Sequence, residues 1–103
     1  MNTDRVVKKY VNRQAGYADA FTIAYRTRGN GTIRIDALER PADPVRNNDE
    51  AHVDLNGTLV CVTPGKEPRT LERAEAIAHA WMLGFSEYVR TGKFPRGTRR
   101  VDV

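Results

Sequence analysis

Cys61 is the only cysteine among the 103 residues, so no disulfide can staple the chain to itself. That scarcity excludes a disulfide-built secreted domain and fits a reducing compartment, so a cytoplasmic location is expected. Two histidines and one cysteine without metal-ligand spacing provide no zinc site, and no cofactor or other metal is expected. No apolar run approaches the roughly 20 residues a membrane span needs. Met1 to Tyr10 is polar and charged with no apolar core, so no signal peptide is expected either. No Lys-Ser/Thr pair follows Gly29-Asn30-Gly31, which therefore reads as a turn rather than a phosphate loop. Repeats and low-complexity segments are also lacking. Hydrophobic residues at 40% and charged residues at 29% are an ordinary globular balance. A chain of this length buries roughly 60–65% of its unfolded surface, enough for one core. One domain, residues 1–92, is expected, followed by a loose basic tail, residues 93–103.

Charge is present in excess of one sign. The net charge is +4 and the isoelectric point about 9.6. Arg5, Lys8, Lys9 and Arg13 crowd the first segment, and Arg90, Lys93, Arg96, Arg99 and Arg100 the last. Asp43, Asp49, Glu50 and Asp54 make the middle acidic. A bipolar distribution of this kind suits an anionic partner, or serves solubility alone.

The pairing of one hairpin can be worked out from its residues. Phe21, Ile23 and Tyr25 alternate with Thr22, Ala24 and Arg26, and Ile33 and Ile35 alternate with Arg34 and Asp36. A two-residue loop would set Arg26 against Ile35 and mix the faces. A three-residue loop sets Tyr25 against Ile35 and Thr27 against Ile33, with Gly31 in the left-handed position. The outer face then carries Arg26, Arg28 and Arg34, with Arg26 directly opposite Arg34.

Other elements follow from similar signals. Val6, Val7, Tyr10 and Val11 recur at helical spacing, predicting a helix over Thr3–Gln14 stopped by Gly16; a strand over Val6–Val11 is the other reading. Glu39 to Ala51 reads as a long loop. Asn56-Gly57 predicts a tight hairpin pairing Val53 with Val60 and Ala51 with Val62. Leu71, Ala74, Ala78, Trp81, Phe85 and Tyr88 form a stripe predicting a helix over Thr70–Arg90, capped by Thr70 and closed by Gly92. The expected fold is α+β: a two-layer sandwich in which a four-stranded antiparallel sheet, two hairpins, packs on the long C-terminal helix, with an N-terminal helix beside it. Val7 and Val11 are expected in the core.

For function, the arginine face leads. Like charges opposite one another on a sheet cost roughly 0.2–1 kcal/mol, which an anion between Arg26 and Arg34 would offset, since arginine forks suit phosphate. Neutralisation by Asp36, Glu39 or the acidic loop, or guanidinium groups that stack and stay hydrated, is the competing account. A second basic surface is the entry to the long helix, with Lys66, Arg69 and Arg73 diluted by Glu67, Glu72 and Glu75. A third is the tail, where Lys93, Arg96, Arg99 and Arg100 would meet phosphates and Phe94 would stack on bases. Catalysis has thin support. His52 and Asp54 share a strand face, and only Cys61 lies across from them as a nucleophile, an arrangement that is ordinarily a plain thiol beside a surface histidine. His79, four residues after Glu75, reads as a helix-surface pair, and Leu83 as a small contact point. No enzyme is expected.

In its expected order of a helix, a hairpin, further strands and a long helix with basic residues opening it, the chain is similar in outline to double-stranded-RNA-binding domains, and also to the arm-binding domains of integrases, a three-stranded sheet with one helix. The likeness is one of architecture, and Arg69-Thr70-Leu71-Glu72-Arg73 lacks the lysine cluster of the former, so no functional residue follows from it. Two functions are expected from the residues: a non-catalytic nucleic-acid-binding accessory domain using Arg26, Arg28, Arg34, Lys93, Arg96, Arg99 and Arg100, or a protein-interaction module, including a homodimer, acting through the acidic loop or a sheet edge.

Overall fold

A computed structural model describes residues 5–14, 16–42, 53–54, 59–60, 62 and 65–94. Five strands and one helix are present among them: β1 (Arg5–Gln14), β2 (Tyr17–Thr27), β3 (Ile33–Glu39), β4 (Val53–Asp54), β5 (Leu59–Val60) and α1 (Leu71–Thr91). The strands form one sheet in the order β1-β2-β3-β5-β4, and every pair is antiparallel. The helix covers one face, so the fold is α+β in two layers.

The hairpin of β2 and β3 pairs as its alternation demands. Tyr25 faces Ile35, Arg26 faces Arg34 and Thr27 faces Ile33. The Arg28 amide donates to the Thr32 carbonyl at 2.7 Å, closing a loop of Gly29, Asn30 and Gly31. Gly31 has φ of 88°, a conformation that side chains with a Cβ resist. The Asn30 carboxamide oxygen accepts from the amide and hydroxyl of Thr32, holding the tip. Farther along, Leu38 is an extra residue where the register shifts between Thr22 and Ile23.

The N-terminal segment is a strand, not the helix its spacing suggested. β1 pairs with β2 over ten residues, from Arg5 opposite Arg26 to Gln14 opposite Tyr17. The physical reason lies in β2, which extends back to Tyr17 and presents a full row of amides and carbonyls on its free side. A helix packed there would leave that row unpaired, whereas a strand satisfies it. Gly16, with φ of 95°, turns the chain between β1 and β2 rather than ending a helix. The sheet therefore has a fifth strand beyond the four expected.

Strand pairing puts opposed residues on one face and alternates faces along each strand. Phe21, Ile23, Tyr25, Ile35, Ala37 and Val60 face α1 and are buried against Ala74, Ile77, Ala78, Trp81, Met82, Phe85 and Tyr88. Phe21 packs edge-on to Trp81 and Phe85, with ring centroids 5.9 and 6.3 Å apart. Each large side chain removed from water in this way contributes roughly 1.5–3 kcal/mol. Val7 and Val11 are not in this core: they fall on the opposite sheet face, 47% and 53% exposed.

The helix has the expected termini. Thr70 is the N-cap and its hydroxyl accepts from the Arg73 amide at 3.2 Å, a bond worth about 1 kcal/mol. Gly92, left-handed, returns its amide to the Tyr88 carbonyl. The segment before α1 is tied to the hairpin tip, because the Ile33 amide donates to the Pro68 carbonyl and Arg69 to the Asn30 carbonyl. Its other end is tied to the start of β2. There Arg90 grips Asp19 through two bonds of 2.7 and 2.9 Å, donates to the Ser86 carbonyl and stacks on the Tyr17 ring at 3.5 Å. Phe94, just past the helix, folds back and is buried, its ring occupying the space that a Cβ on Gly84 would enter. It belongs to the core and is not offered to a base.

Candidate nucleic-acid interface

The sheet face away from α1 is built by the residues between those of the core. From β1 it receives Arg5, Val7, Lys9, Val11 and Arg13; from β2, Ala18, Ala20, Thr22, Ala24 and Arg26; from β3, Arg34 and Asp36, with Glu39 beyond the bulge. The register sets Arg5, Arg26 and Arg34 abreast on three neighbouring strands, a row roughly 10 Å wide at the usual strand spacing. Down β1, Arg5, Lys9 and Arg13 recur every fourth residue, about 14 Å apart along an extended strand. Small and aliphatic side chains fill the ground between them.

Charge on this face is lopsided. Arg34 is gripped by Asp36 through Nε to Oδ2 at 2.8 Å and Nη2 to Oδ1 at 3.1 Å. The Asp36 carboxylate, by hydrogen bonding first and by its charge also, holds the Arg34 guanidinium above the ordinary arginine range. The Glu39 carboxylate accepts from the Thr22 hydroxyl. Both described carboxylates that β3 brings to this face are therefore engaged. Arg5, Lys9, Arg13, Arg26 and Arg28 are exposed and form no ion pair among the described residues.

The sequence-predicted residues are divided by this geometry. Arg26 and Arg34 lie on the open face, as the alternation implied, though Arg34 is already neutralised, and Arg28 is exposed in the loop just past β2. Lys93 is exposed in the layer of α1, just past the C-terminal end of the helix. The hairpin tip lies at the N-terminal end, and 21 helical residues, roughly 30 Å, separate the two. Lys93 does not join the hairpin arginines. Arg96, Arg99 and Arg100 lie outside the described residues, as do His52 and Cys61. Lys66, Arg69 and Arg73 are exposed at the helix entry, where Arg69 is committed to the Asn30 carbonyl. Glu75 bonds Lys8 across the layers and not His79, and this carboxylate raises the Lys8 ammonium above its ordinary range.

Arg5, Lys9 and Arg13 are the site residues that reading the sequence missed. Their signal was present: every second position from Arg5 to Arg13 is basic or valine, a period-two pattern on one face. Among the described residues, no group of three His, Cys, Asp or Glu side chains is placed to hold a metal, and no helix is long and apolar enough to cross a membrane. No family model matches this chain, and no curated protein or solved structure shows significant similarity to it.

Proposed function

We propose that the chain is a non-catalytic nucleic-acid-binding domain whose contact surface is the open sheet face. The observation that carries this reading is the row of Arg5, Arg26 and Arg34 continued down β1 by Lys9 and Arg13, with a compensating carboxylate, among the described residues, for Arg34 alone. Several like charges held abreast raise the free energy of the unliganded sheet, and phosphates laid along it reverse that sign. Guanidinium groups suit this task because their planar forks match phosphate oxygens. The aliphatic ground between them offers shape and no hydrogen-bonding code, so contacts of this kind position a backbone more than they read bases.

Fluorescence anisotropy with labelled duplex and single-stranded DNA and RNA, repeated across a salt series, tests the reading. If four of the cations meet phosphates, log K against log salt has a slope of roughly −3 to −4, and affinity falls on the order of 100-fold between 50 and 200 mM salt. Heparin competing equally with every nucleic acid would point to polyanions in general. Absence of binding at about 50 mM salt, where such contacts are strongest, would end the proposal.

A further inference from the structure

β1 is an edge strand, and its edge is dressed for company. Among the described residues it pairs with β2 alone. Among the described residues the exposed large hydrophobic ones are Val6, Val7, Val11, Leu38 and Leu83, and all but Leu38 border this one edge. Val7 and Val11 lie on the open face and Val6 on the helix face. Leu83, 43% exposed, overhangs the strand from α1, lining with Tyr10, His79 and Met82 a mainly apolar groove of about 150 Å³. A long strand with one edge free among the described residues and apolar surface on both its faces favours strand addition.

The backbone groups available for pairing follow from the turn. Two residues separate Gln14 from Tyr17, so that pair exchanges both its hydrogen bonds, and so does every second pair back to Val6 opposite Tyr25. Residues 7, 9, 11 and 13 then turn their amides and carbonyls outward to the free edge.

We propose that a second copy of this chain occupies that edge, pairing β1 antiparallel with the partner's β1 about a twofold axis through Tyr10. The choice of occupant rests on self-complementarity. A twofold register centred on Tyr10 keeps the faces matched and sets Lys9 against the partner's Val11, Arg13 against the partner's Val7, Lys8 against the partner's Asn12 and Val6 against the partner's Gln14. Every cation of the nine-residue overlap then meets an uncharged residue. Shifting the register by two in one direction sets Lys9 against itself and Arg5 against Arg13, which like-charge repulsion disfavours. The axis also passes beside the groove at Tyr10, so the overhanging Leu83 of each copy is brought towards the strand of the other. Ten strands would become continuous, and the two basic faces would lie side by side. This pairing needs no nucleic acid and stands or falls apart from the binding reading.

Sedimentation equilibrium of the whole chain, without nucleic acid and over the micromolar range, tests it. The expected mass is twice the 11.6 kDa of one chain. Val11→Lys sets lysine against the partner's Lys9 on both sides of the axis at an exposed position. It is expected to raise the dissociation constant about tenfold or more. Val11→Pro removes an outward amide while sparing the ladder to β2, and is expected to yield a monomer with an unchanged far-ultraviolet spectrum. Leu38→Lys, an equal change in charge on β3, is expected to leave the dimer intact. A wild-type chain that stays monomeric, or a dimer that both Val11 variants leave unaffected, would overturn the proposal.

Discussion

Arg5 stands directly opposite Arg26 on the open sheet face, and Arg26 in turn stands opposite Arg34. Arg26 is thus flanked by arginine on both sides, while among the described residues only Arg34 has its own carboxylate. Arg26→Glu should therefore stabilise the unliganded fold by about 0.5–1 kcal/mol, a rise of a few degrees in melting temperature, while weakening nucleic-acid binding. Arg34→Gln should do the reverse in stability, because Asp36 loses its partner, and should weaken binding less than Arg26→Gln. Thermal melts and anisotropy on the same variants check both halves; equal losses of affinity from Arg34→Gln and Arg26→Gln would contradict the charge map.

The Asp19–Arg90 pair fastens the far end of α1 to the sheet. Hydrogen bonding from Arg90 is the leading cause that holds the Asp19 carboxyl below the ordinary aspartate range. A carboxylate whose acidity is enhanced by folding contributes stability that is present above its unfolded pKa, about 3.9, and is lost as pH falls through that region. Asp19→Asn should cost roughly 1–2 kcal/mol at neutral pH, towards the lower figure because the arginine is partly exposed. The gap between wild type and variant in urea titrations should narrow below about pH 4. A gap independent of pH would show that the charge plays no part.

Tyr25 is buried, and its hydroxyl shares a 2.7 Å hydrogen bond with that of Tyr10. Burial first, and that bond second, push the Tyr25 phenol well above its ordinary range. The protonated form is the one folding favours, so this contribution is complete below the unfolded pKa of about 10 and is lost as pH rises beyond it. Lys8, raised by Glu75, loses its contribution in the same alkaline direction. Tyr25 should ionise only as the fold gives way. Phenolate absorbance and circular dichroism followed together decide this, and full ionisation before any loss of dichroism would refute it. Tyr25→Phe should cost about 1 kcal/mol.

Gly84 and Phe94 form a pair whose mutations should not add. A Cβ on Gly84 would come within 2.3 Å of the Phe94 ring, which would have to leave. Gly84→Ala should cost about 1–3 kcal/mol as overpacking, and Phe94→Ala about 3 kcal/mol. With the ring gone, alanine at 84 becomes an ordinary helical residue, better than glycine by up to about 1 kcal/mol. The double variant should therefore be more stable than Phe94→Ala alone. Denaturant titration of the four proteins completes the cycle, and simple additivity would count against the packing described.

Much of this architecture was legible because local rules agreed with the tertiary outcome. The hairpin register from Tyr25–Ile35 to Thr27–Ile33 followed from alternation and the left-handed Gly31. The pairing of Val53 with Val60 followed from Asn56-Gly57. The helix and both its caps followed from Thr70, Gly92 and the stripe between them. The N-terminal segment was not legible in that way, for a reason visible in its spacing. Val6 and Tyr10, Val7 and Val11, and the series Arg5, Lys9, Arg13 all lie four residues apart. Four is close to one helical turn and is also twice the strand period, so both structures gather the same residues on one face.

Side-chain chemistry and sequence spacing by themselves determined a basic α+β domain with an arginine-bearing ribbon, because alternation, turn glycines and helix caps act over a few residues. Tertiary structure alone decided that the first segment is a strand, that Val7 and Val11 face outward, that Phe94 turns inward, and that Arg5, Lys9 and Arg13 join Arg26 on one surface. Those outcomes depend on the unpaired edge of β2 and on the space over Gly84, and neither exists until distant parts of the chain have met.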